Sequence, residues 1–147
     1  MVRLSKYYPY AIALILGGLF YCYQHKFTNL EDIIKKTLDA ALTICGVLLG
    51  FLLTILTIIS TIATRRMQFV KDSGGYPLLN YYLKTALYSN LITISFYFIL
   101  PFLSTIESIV FKDIINAVLV FMISFTWLTN IRFSSVFISL MSDPKGQ

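Results

Sequence analysis

The chain has 147 residues, of which 57% are hydrophobic and only 13% are charged. Soluble globular domains carry charge on about a quarter of their residues, so this composition excludes an ordinary soluble domain. The net charge of +5 raises nucleic acid as a partner, but the basic residues lie beside apolar runs, which is how membrane proteins distribute positive charge. We therefore expect a single membrane domain over residues 1–147 that does not bind nucleic acid directly.

Two apolar segments lie in the first half of the chain, and a membrane span takes about 20 mostly apolar residues. The first, 7–23, is slightly short and ends in bulky aromatic residues where a signal-peptide cleavage site requires small ones, so we expect a retained span. The second, 38–64, is longer than a bilayer requires. Thr28 lies three residues ahead of Glu31, a capping-box pattern that predicts a helix start near Asn29, outside the membrane.

Two further spans follow, at 82–103 and 114–131. Pro101 is expected to kink or stop the third span, because proline lacks the backbone N–H that a helix interior uses. The fourth span is expected to end at Arg132, and the tail beyond it is too short to cross again, so it continues the helix or lies on the membrane surface. The sequence thus predicts an all-α polytopic membrane protein with four transmembrane helices and a short cytoplasmic loop at 65–81.

Lysine and arginine counts in the flanks predict the orientation, since cytoplasmic flanks carry the excess. One side has eight basic residues and the other has four. The eight are Arg3, Lys6, Arg65, Arg66, Lys71, Lys84, Arg132 and Lys145. We expect both termini in the cytoplasm of a bacterium, with the chain in the inner membrane and tyrosines such as Tyr8 and Tyr82 in an inner aromatic belt.

The second span carries a row of small and hydroxylated residues in an otherwise apolar sequence, "GVLLGFLLTILTIIST". Their mean spacing of about 3.6 residues places them on one face of a helix. The second predicted span, 38–64, is labelled α2, and this row is called the α2 stripe below. Its members are Thr43, Gly46, Gly50, Thr54, Thr57, Thr61 and Thr64.

Two interpretations of the α2 stripe stay open. In the first, it is a packing seam within the chain or between identical chains, because small residues let membrane helices approach closely. In the second, its hydroxyls line an aqueous path around the axis of a symmetric oligomer. The two are compatible, since the glycines can pack while the later threonines line a vestibule.

Polar chemistry elsewhere is sparse. No charged residue lies near the middle of a predicted span, which argues against proton-coupled carriers, pumps and voltage sensors. Asn90 and Asn116 are the strongest polar residues at membrane depth, and each is expected to form an interhelical hydrogen bond. No pair of carboxylates or known catalytic motif indicates an enzyme, and Cys22 and Cys45 show no disulfide or zinc spacing. We expect no metal and no cofactor.

The loop after the second span contains Arg65, Arg66 and Lys71. Such a cluster orients the protein against anionic lipid headgroups or docks a cytosolic protein partner. Both interpretations stay open.

Residues 46–76 resemble the corresponding part of small bacterial four-span proteins. The resemblance lies in a span that ends in the α2 stripe and is followed by an Arg-Arg pair and a glycine–tyrosine turn. The overall plan also resembles the membrane subunits of antiphage systems, including the four-span subunit of Kiwa. That resemblance implies a homo-oligomer that works with a cytosolic partner and senses membrane disturbance or forms a pore. It assigns no site residue.

The leading expectation is therefore a homo-oligomeric membrane component of an antiviral defence-type system, sensing or permeabilising the bilayer as an ion channel would. The alternatives are a non-conducting scaffold that holds a soluble partner through the basic loop, and a small transporter with a polar cavity around Asn90 and Asn116.

Overall fold

The computed structural model describes residues 2–26, 30–61, 75–103 and 109–142. Helices account for all of these residues, and the predicted all-α fold is confirmed. A 3-10 turn, Gln24–Lys26, follows the first helix. The four α-helices are α1 (Val2–Tyr23), α2 (Leu30–Thr61), α3 (Gly75–Leu103) and α4 (Ile109–Ser142).

Three of the helices contain apolar stretches long enough to cross a membrane, namely Lys36–Ile59, Pro77–Leu103 and Ile109–Ser139. α1 contributes a shorter apolar stretch, Tyr7–Tyr23. At 1.5 Å per residue this stretch is about 25 Å long, close to the roughly 30 Å thickness of the hydrocarbon core. The chain is an all-α polytopic membrane protein.

All four helices begin before the predicted spans, and α4 also ends later. Residues 75–81, expected in the loop, form the first two turns of α3, because Pro77 lies in the first turn, where a missing N–H leaves no hydrogen bond unmade. The tail beyond Arg132 continues α4 for ten residues, to Ser142. α2 begins at Leu30, one residue from the start that the capping-box pattern predicts.

α3 and α4 form the centre of the bundle, with α1 packed mainly on α4 and α2 mainly on α3. One buried cluster joins Ile55 late in α2, Leu83 early in α3 and Phe133 late in α4. A second cluster joins Leu38 and Ile115, near the starts of α2 and α4. Successive helices therefore run in opposite directions.

The two ends of the bundle differ in chemistry. At one end, called the arginine end below, the Arg132 guanidinium of α4 lies over the rings of Tyr8 of α1 and Tyr82 of α3. At the other end, the Tyr97 hydroxyl donates a hydrogen bond of 3.0 Å to Asp39. The start of α1 and the later part of α4 therefore share one end, and the two tyrosines assigned to one aromatic belt lie together.

A row of small residues joins α1 to α4. Pro9, Ala13 and Gly17 recur at every fourth position of α1 and are all buried. A Cβ built on Gly17 would lie 3.1 Å from the Phe121 Cβ and 3.3 Å from the Ala117 carbonyl oxygen. These distances are shorter than most Cβ contacts in proteins, so the absence of a side chain at Gly17 favours this close approach of the backbones. This row is called the α1 stripe below.

Candidate functional site

The α2 stripe faces away from the rest of the bundle. Thr43, Gly46, Gly50, Thr54, Thr57 and Thr61 are all exposed. A Cβ built on either glycine would meet no atom within 4 Å outside its own helix. The side of α2 that packs within the chain is instead the apolar row of Leu38, Leu52, Ile55 and Ile59. Among the described residues, the α2 stripe is therefore not a seam inside one copy of the chain.

Hydroxyls of the α2 stripe bond to their own helix. Thr54 Oγ1 donates to the Gly50 carbonyl oxygen at 2.9 Å, and Thr61 Oγ1 donates to that of Thr57 at 2.7 Å. Thr43 and Thr57 likewise donate to the carbonyl four residues earlier, at 3.0 Å. Such back-bonding lets threonine face an apolar environment with its proton satisfied. The hydroxyl oxygens keep lone pairs that can accept from outside.

Large apolar side chains flank the α2 stripe. Val47 is 69% exposed and Phe51 is 56% exposed, and Leu53 and Ile58 are exposed as well. Because the stripe itself has small side chains, these residues form ridges beside a shallow groove. Ridges and grooves of this kind are the shapes by which helices interlock. This face is the main unpartnered surface of α2 among the described residues.

The remaining predicted residues of this region are Thr64, Arg65, Arg66 and Lys71. All four lie outside the described residues. Their assignment to the stripe and to the basic loop stays a prediction.

The two predicted asparagines are far apart. Asn90 is fully buried in the middle of α3, whereas Asn116 is half-buried near the start of α4. The pairing of Thr93 with Thr126 between antiparallel helices places Asn116 level with the end of α3, about 20 Å along the axis from Asn90. Neither asparagine lines the cavity between α2, α3 and α4 or the cavity beside Arg132. At this separation the two asparagines do not share either of these cavities.

Asn90 does not form the expected interhelical hydrogen bond. Its Nδ2 donates to the Ala86 carbonyl oxygen of its own helix at 2.8 Å, and its buried Oδ1 accepts none. The neighbouring hydroxyls form the crossing instead. Ser89 Oγ lies 2.8 Å from Thr129 Oγ1, and Thr93 Oγ1 lies 2.8 Å from the corresponding atom of Thr126. We call these four hydroxyls the hydroxyl ladder.

The hydroxyl ladder has a signal in the sequence. Residues 89–93 of α3, SNLIT, and residues 126–130 of α4, TWLTN, each carry two hydroxylated residues and one asparagine within five positions. Asn130 Nδ2 also repeats the back-bond of Asn90, donating to the Thr126 carbonyl oxygen at 2.7 Å. Two antiparallel helices with such polar clusters at the same level can form hydrogen bonds between them, as polar side chains do across membrane helices.

Arg132, expected to end the fourth span, is inside α4 and only 7% exposed. Its Nη2 donates to the Tyr82 hydroxyl at 2.6 Å. The guanidinium carbon lies 4.1 Å from the centroid of the Tyr82 ring and 5.5 Å from that of Tyr8. Stacking on aromatic faces stabilises a desolvated guanidinium, so the tyrosines explain how a charged residue is buried here.

The cavity between α2, α3 and α4 is almost wholly apolar. It is lined by Leu38, Cys45, Phe96, Leu119 and neighbouring side chains, with the Thr93 hydroxyl at its edge. Both cysteines are free thiols, Cys45 buried and Cys22 exposed. Within the described ranges, no three residues among His, Cys, Asp and Glu are close enough to hold a metal ion. Comparison with protein-family models, with curated proteins and with solved structures found no match.

Proposed function

We propose that this protein is a homo-oligomeric component of the bacterial inner membrane that senses or permeabilises the bilayer for a defence-type system, together with a cytosolic protein partner. It is proposed as a non-enzymatic component. The observation that carries the proposal is the outward-facing α2 stripe. The small-residue row on α1 is covered by a helix, whereas no helix among the described residues covers this one.

A second copy of α2 fits the groove of the α2 stripe. Lipid tails are as apolar as leucine, so helix association in a bilayer comes from close packing rather than from hydrophobic burial. At Gly46 and Gly50 a neighbouring backbone can approach without meeting a Cβ, while Val47 and Phe51 can fill the space beside it. A symmetric pairing uses the same surface on both copies. Because this surface has a ridge beside a groove, the ridge of each copy can fit the groove of the other.

The topology proposed for the membrane has four crossings with both termini in the cytoplasm. The eight basic residues counted on one side support this orientation. Two of them, Lys84 and Arg132, belong to the arginine end. The basic loop of Arg65, Arg66 and Lys71 then faces the cytoplasm, where a soluble partner can bind it.

Permeabilisation is supported by the exposed hydroxyl oxygens of Thr54, Thr57 and Thr61, which would line the axis of a ring of α2 helices. The second candidate function, a non-conducting scaffold for the soluble partner, is favoured by the back-bonding of the same threonines. Back-bonded hydroxyls tolerate a dry interface, so they do not require water at the axis.

The oligomer is tested by the double variant Gly46→Leu/Gly50→Leu, purified in detergent and measured by native mass spectrometry. We expect the wild type to be oligomeric and the double variant to be monomeric. The variant is informative because a Cβ at either position meets no atom of the described residues within 4 Å outside its own helix, and leucine has a higher helix propensity than glycine. Dispersal therefore reports a contact between copies rather than misfolding.

The matched control is Gly18→Leu on α1, because its Cβ position is equally open. The control should stay oligomeric. A double variant that keeps the wild-type stoichiometry would place the contact on another face.

Ion flux from liposomes separates the two candidate functions. We expect the reconstituted wild type to release a trapped ion and the Gly46→Leu/Gly50→Leu variant to release far less. Liposomes that stay sealed at every lipid-to-protein ratio favour the scaffold. The defence role is tested by phage plating on cells that express the chain with its genomic neighbour, where loss of protection in the double variant is the expected result.

A further inference from the structure

The apolar cavity between α2, α3 and α4 brings two sulfur-containing side chains together. Cys45 of α2 and Met122 of α4 both line it, and Cys45 is a free thiol that is only 1% exposed. The cavity encloses about 290 Å³ with its mouth, yet its interior has room for about one water-sized sphere. Three helices thus surround a space the size of a single ion, with a thiol and a thioether in its wall.

The parallel course of α2 and α4 places these two side chains at the same level. Each of the two buried clusters contains residues of α2 and α4 that are 77 or 78 positions apart in the chain. They are Leu38 and Ile115 in one cluster, and Ile55 and Phe133 in the other. Met122 follows Cys45 by 77 positions. Because parallel helices rise equally per residue, the thiol and the thioether lie opposite each other.

The two hydroxyls in the lining of this cavity are engaged with other groups. Thr93 Oγ1 is hydrogen-bonded to Thr126 at 2.8 Å, and the Tyr97 hydroxyl donates to Asp39 at 3.0 Å. Sulfur accepts hydrogen bonds only weakly, and a buried water needs about two to four polar partners, so this cavity suits water poorly. Thiolate and thioether sulfur instead bind soft cations such as Cu(I).

The depth of the two sulfurs selects the charge of the ion. Cys45 and Met122 each lie within three residues of the middle of their apolar stretches, Lys36–Ile59 and Ile109–Ser139, which is about 5 Å along a helix. A net charge at this depth is costly. A bound metal ion displaces the thiol proton, so one thiolate cancels the charge of a monovalent ion and the neutral thioether adds none. A divalent ion such as Zn²⁺ would leave a net positive charge in an apolar wall.

We propose that Cys45 and Met122 bind a soft monovalent metal ion of the Cu(I) class in this cavity, with the Cys45 thiolate as the charged ligand and the Met122 thioether as the neutral one. Binding forms one metal–sulfur bond to each residue and releases the thiol proton to solvent, with no change in the oxidation state of the metal. The inference goes beyond the proposed function, because it needs neither oligomerisation nor a partner. It requires only the packing of α2, α3 and α4 inside one copy.

The test is silver retention by the purified protein in native mass spectrometry, with Ag⁺ as an air-stable probe for Cu(I). The parent is Cys22→Ser, which leaves Cys45 as the only cysteine of the chain. We expect the parent to keep Ag⁺ against an excess of a free monothiol, with the mass of silver gained and that of one proton lost. The matched control is Cys45→Ser, whose remaining thiol, Cys22, is exposed and should lose Ag⁺ to the same competitor.

A second variant tests the thioether. Met122→Leu in the same parent keeps the apolar volume, since exchanges of leucine and methionine conserve it. We expect this variant to bind Ag⁺ at least about tenfold more weakly than the parent, because the loss of even an outer-shell partner costs a metal site about 10–100-fold in affinity.

Three results would overturn the proposal. A parent that loses Ag⁺ as readily as Cys45→Ser does would show that the buried thiol has no site around it. A Met122→Leu variant that holds Ag⁺ as the parent does would exclude the thioether as a ligand. Retention of Zn²⁺ equal to that of Ag⁺ by the wild type would contradict the charge argument, and this measurement decides the matter even where a variant does not fold.

The proposal and the proposed function fail separately. The Gly46→Leu/Gly50→Leu variant should still bind Ag⁺ as a monomer, because neither glycine lines the cavity. A chain that binds silver in this cavity and never oligomerises keeps this inference and loses the proposed function.

Discussion

On α1, Pro9, Ala13 and Gly17 lie buried against α4, whereas on α2 Gly46 and Gly50 face outward with open space above them. Both rows place small residues at every third or fourth position of an apolar helix. In the α1 stripe the contact is tight enough that a Cβ on Gly17 would approach two atoms of α4 to within 3.3 Å. In the α2 stripe a Cβ on Gly46 or Gly50 meets no atom of the described residues within 4 Å outside its own helix.

The difference shows that a small-residue row marks a surface prepared for close approach, without saying whose helix approaches. α4 provides Ala117 and Phe121 opposite Gly17, and the stacked rings of Phe121 and Phe125 extend the contact toward Tyr10. No helix in the described part of the chain provides such a surface to Gly46. The first stripe therefore holds one copy together, and the second is available for another copy.

The largest effect is expected for Gly17→Leu. Its side chain would be forced into Phe121 and the backbone of Ala117, so α1 and α4 must separate. Overpacking of this kind costs about 1–3 kcal/mol and sometimes more, and a contact with backbone has little room to adjust. We expect a loss of about 3 kcal/mol in the free energy of unfolding, measured by titration with a denaturing detergent.

Gly18→Leu provides the comparison within the same turn of α1. A Cβ at this position meets no atom of the described residues within 4 Å outside its own helix, so the free energy of unfolding should change by less than about 1 kcal/mol. Similar losses in both variants would show that the α1 stripe is not a specific contact.

An intermediate effect is expected for the hydroxyl ladder, the polar counterpart of the α1 stripe. Thr93→Val and Thr126→Val each keep the side-chain shape and remove one partner of a 2.8 Å hydrogen bond between α3 and α4. Bonds of this kind between membrane helices contribute about 0.6 kcal/mol on average and up to about 1.7 kcal/mol. We expect each variant to lose about 1 kcal/mol and the double variant to lose less than the sum, in a double-mutant cycle.

Thr43→Val is the control for this cycle, because its hydroxyl bonds only within α2 in the described contacts. Additive losses for Thr93→Val and Thr126→Val would mean that the two hydroxyls do not interact.

The smallest effect on the fold is expected for Thr54→Val on the α2 stripe. The hydroxyl donates to Gly50 of its own helix and faces outward, so the free energy of unfolding should change by less than about 0.5 kcal/mol. The same variant sharpens the choice between a dry seam and an aqueous path. Unchanged stoichiometry with reduced ion flux from liposomes indicates a path, whereas unchanged flux in a conducting wild type removes Thr54 from its lining.

Hydropathy was sufficient to predict the helices, and the capping-box pattern located the start of α2. Hydropathy could not predict which of the two stripes would be buried, because both consist of small residues surrounded by leucine, isoleucine and phenylalanine. Lipid tails and the surface of a neighbouring membrane helix are similarly apolar. Residues that face lipid and residues that face another helix therefore cannot be told apart by their hydrophobicity in the sequence. Only the shape of α4 opposite Gly17 decides the difference.

The polar residues were harder to interpret for a related reason. Asn90 is the strongest hydrogen-bonding residue of its span, yet it bonds to Ala86, and the weaker hydroxyls of Ser89 and Thr93 form the crossing. The helix face, rather than the strength of the group, sets the partner. The charge of Arg132 led to the prediction that the fourth span ends there. In the structure Arg132 lies within α4, and its guanidinium stacks on the rings of Tyr8 and Tyr82 inside the helix bundle.

The packing of α1 on α4 means that α1 reaches its final position only late in the synthesis of the chain. Ribosomes deliver the helices in order, at roughly 5–20 residues per second, and α1 is packed mainly on the helix delivered last. Until then Pro9, Ala13 and Gly17 face lipid, and α1 is tethered mainly by its link to α2. A nascent chain interrupted before residue 109 therefore leaves its first helix unanchored, a state that membrane quality-control proteases can recognise.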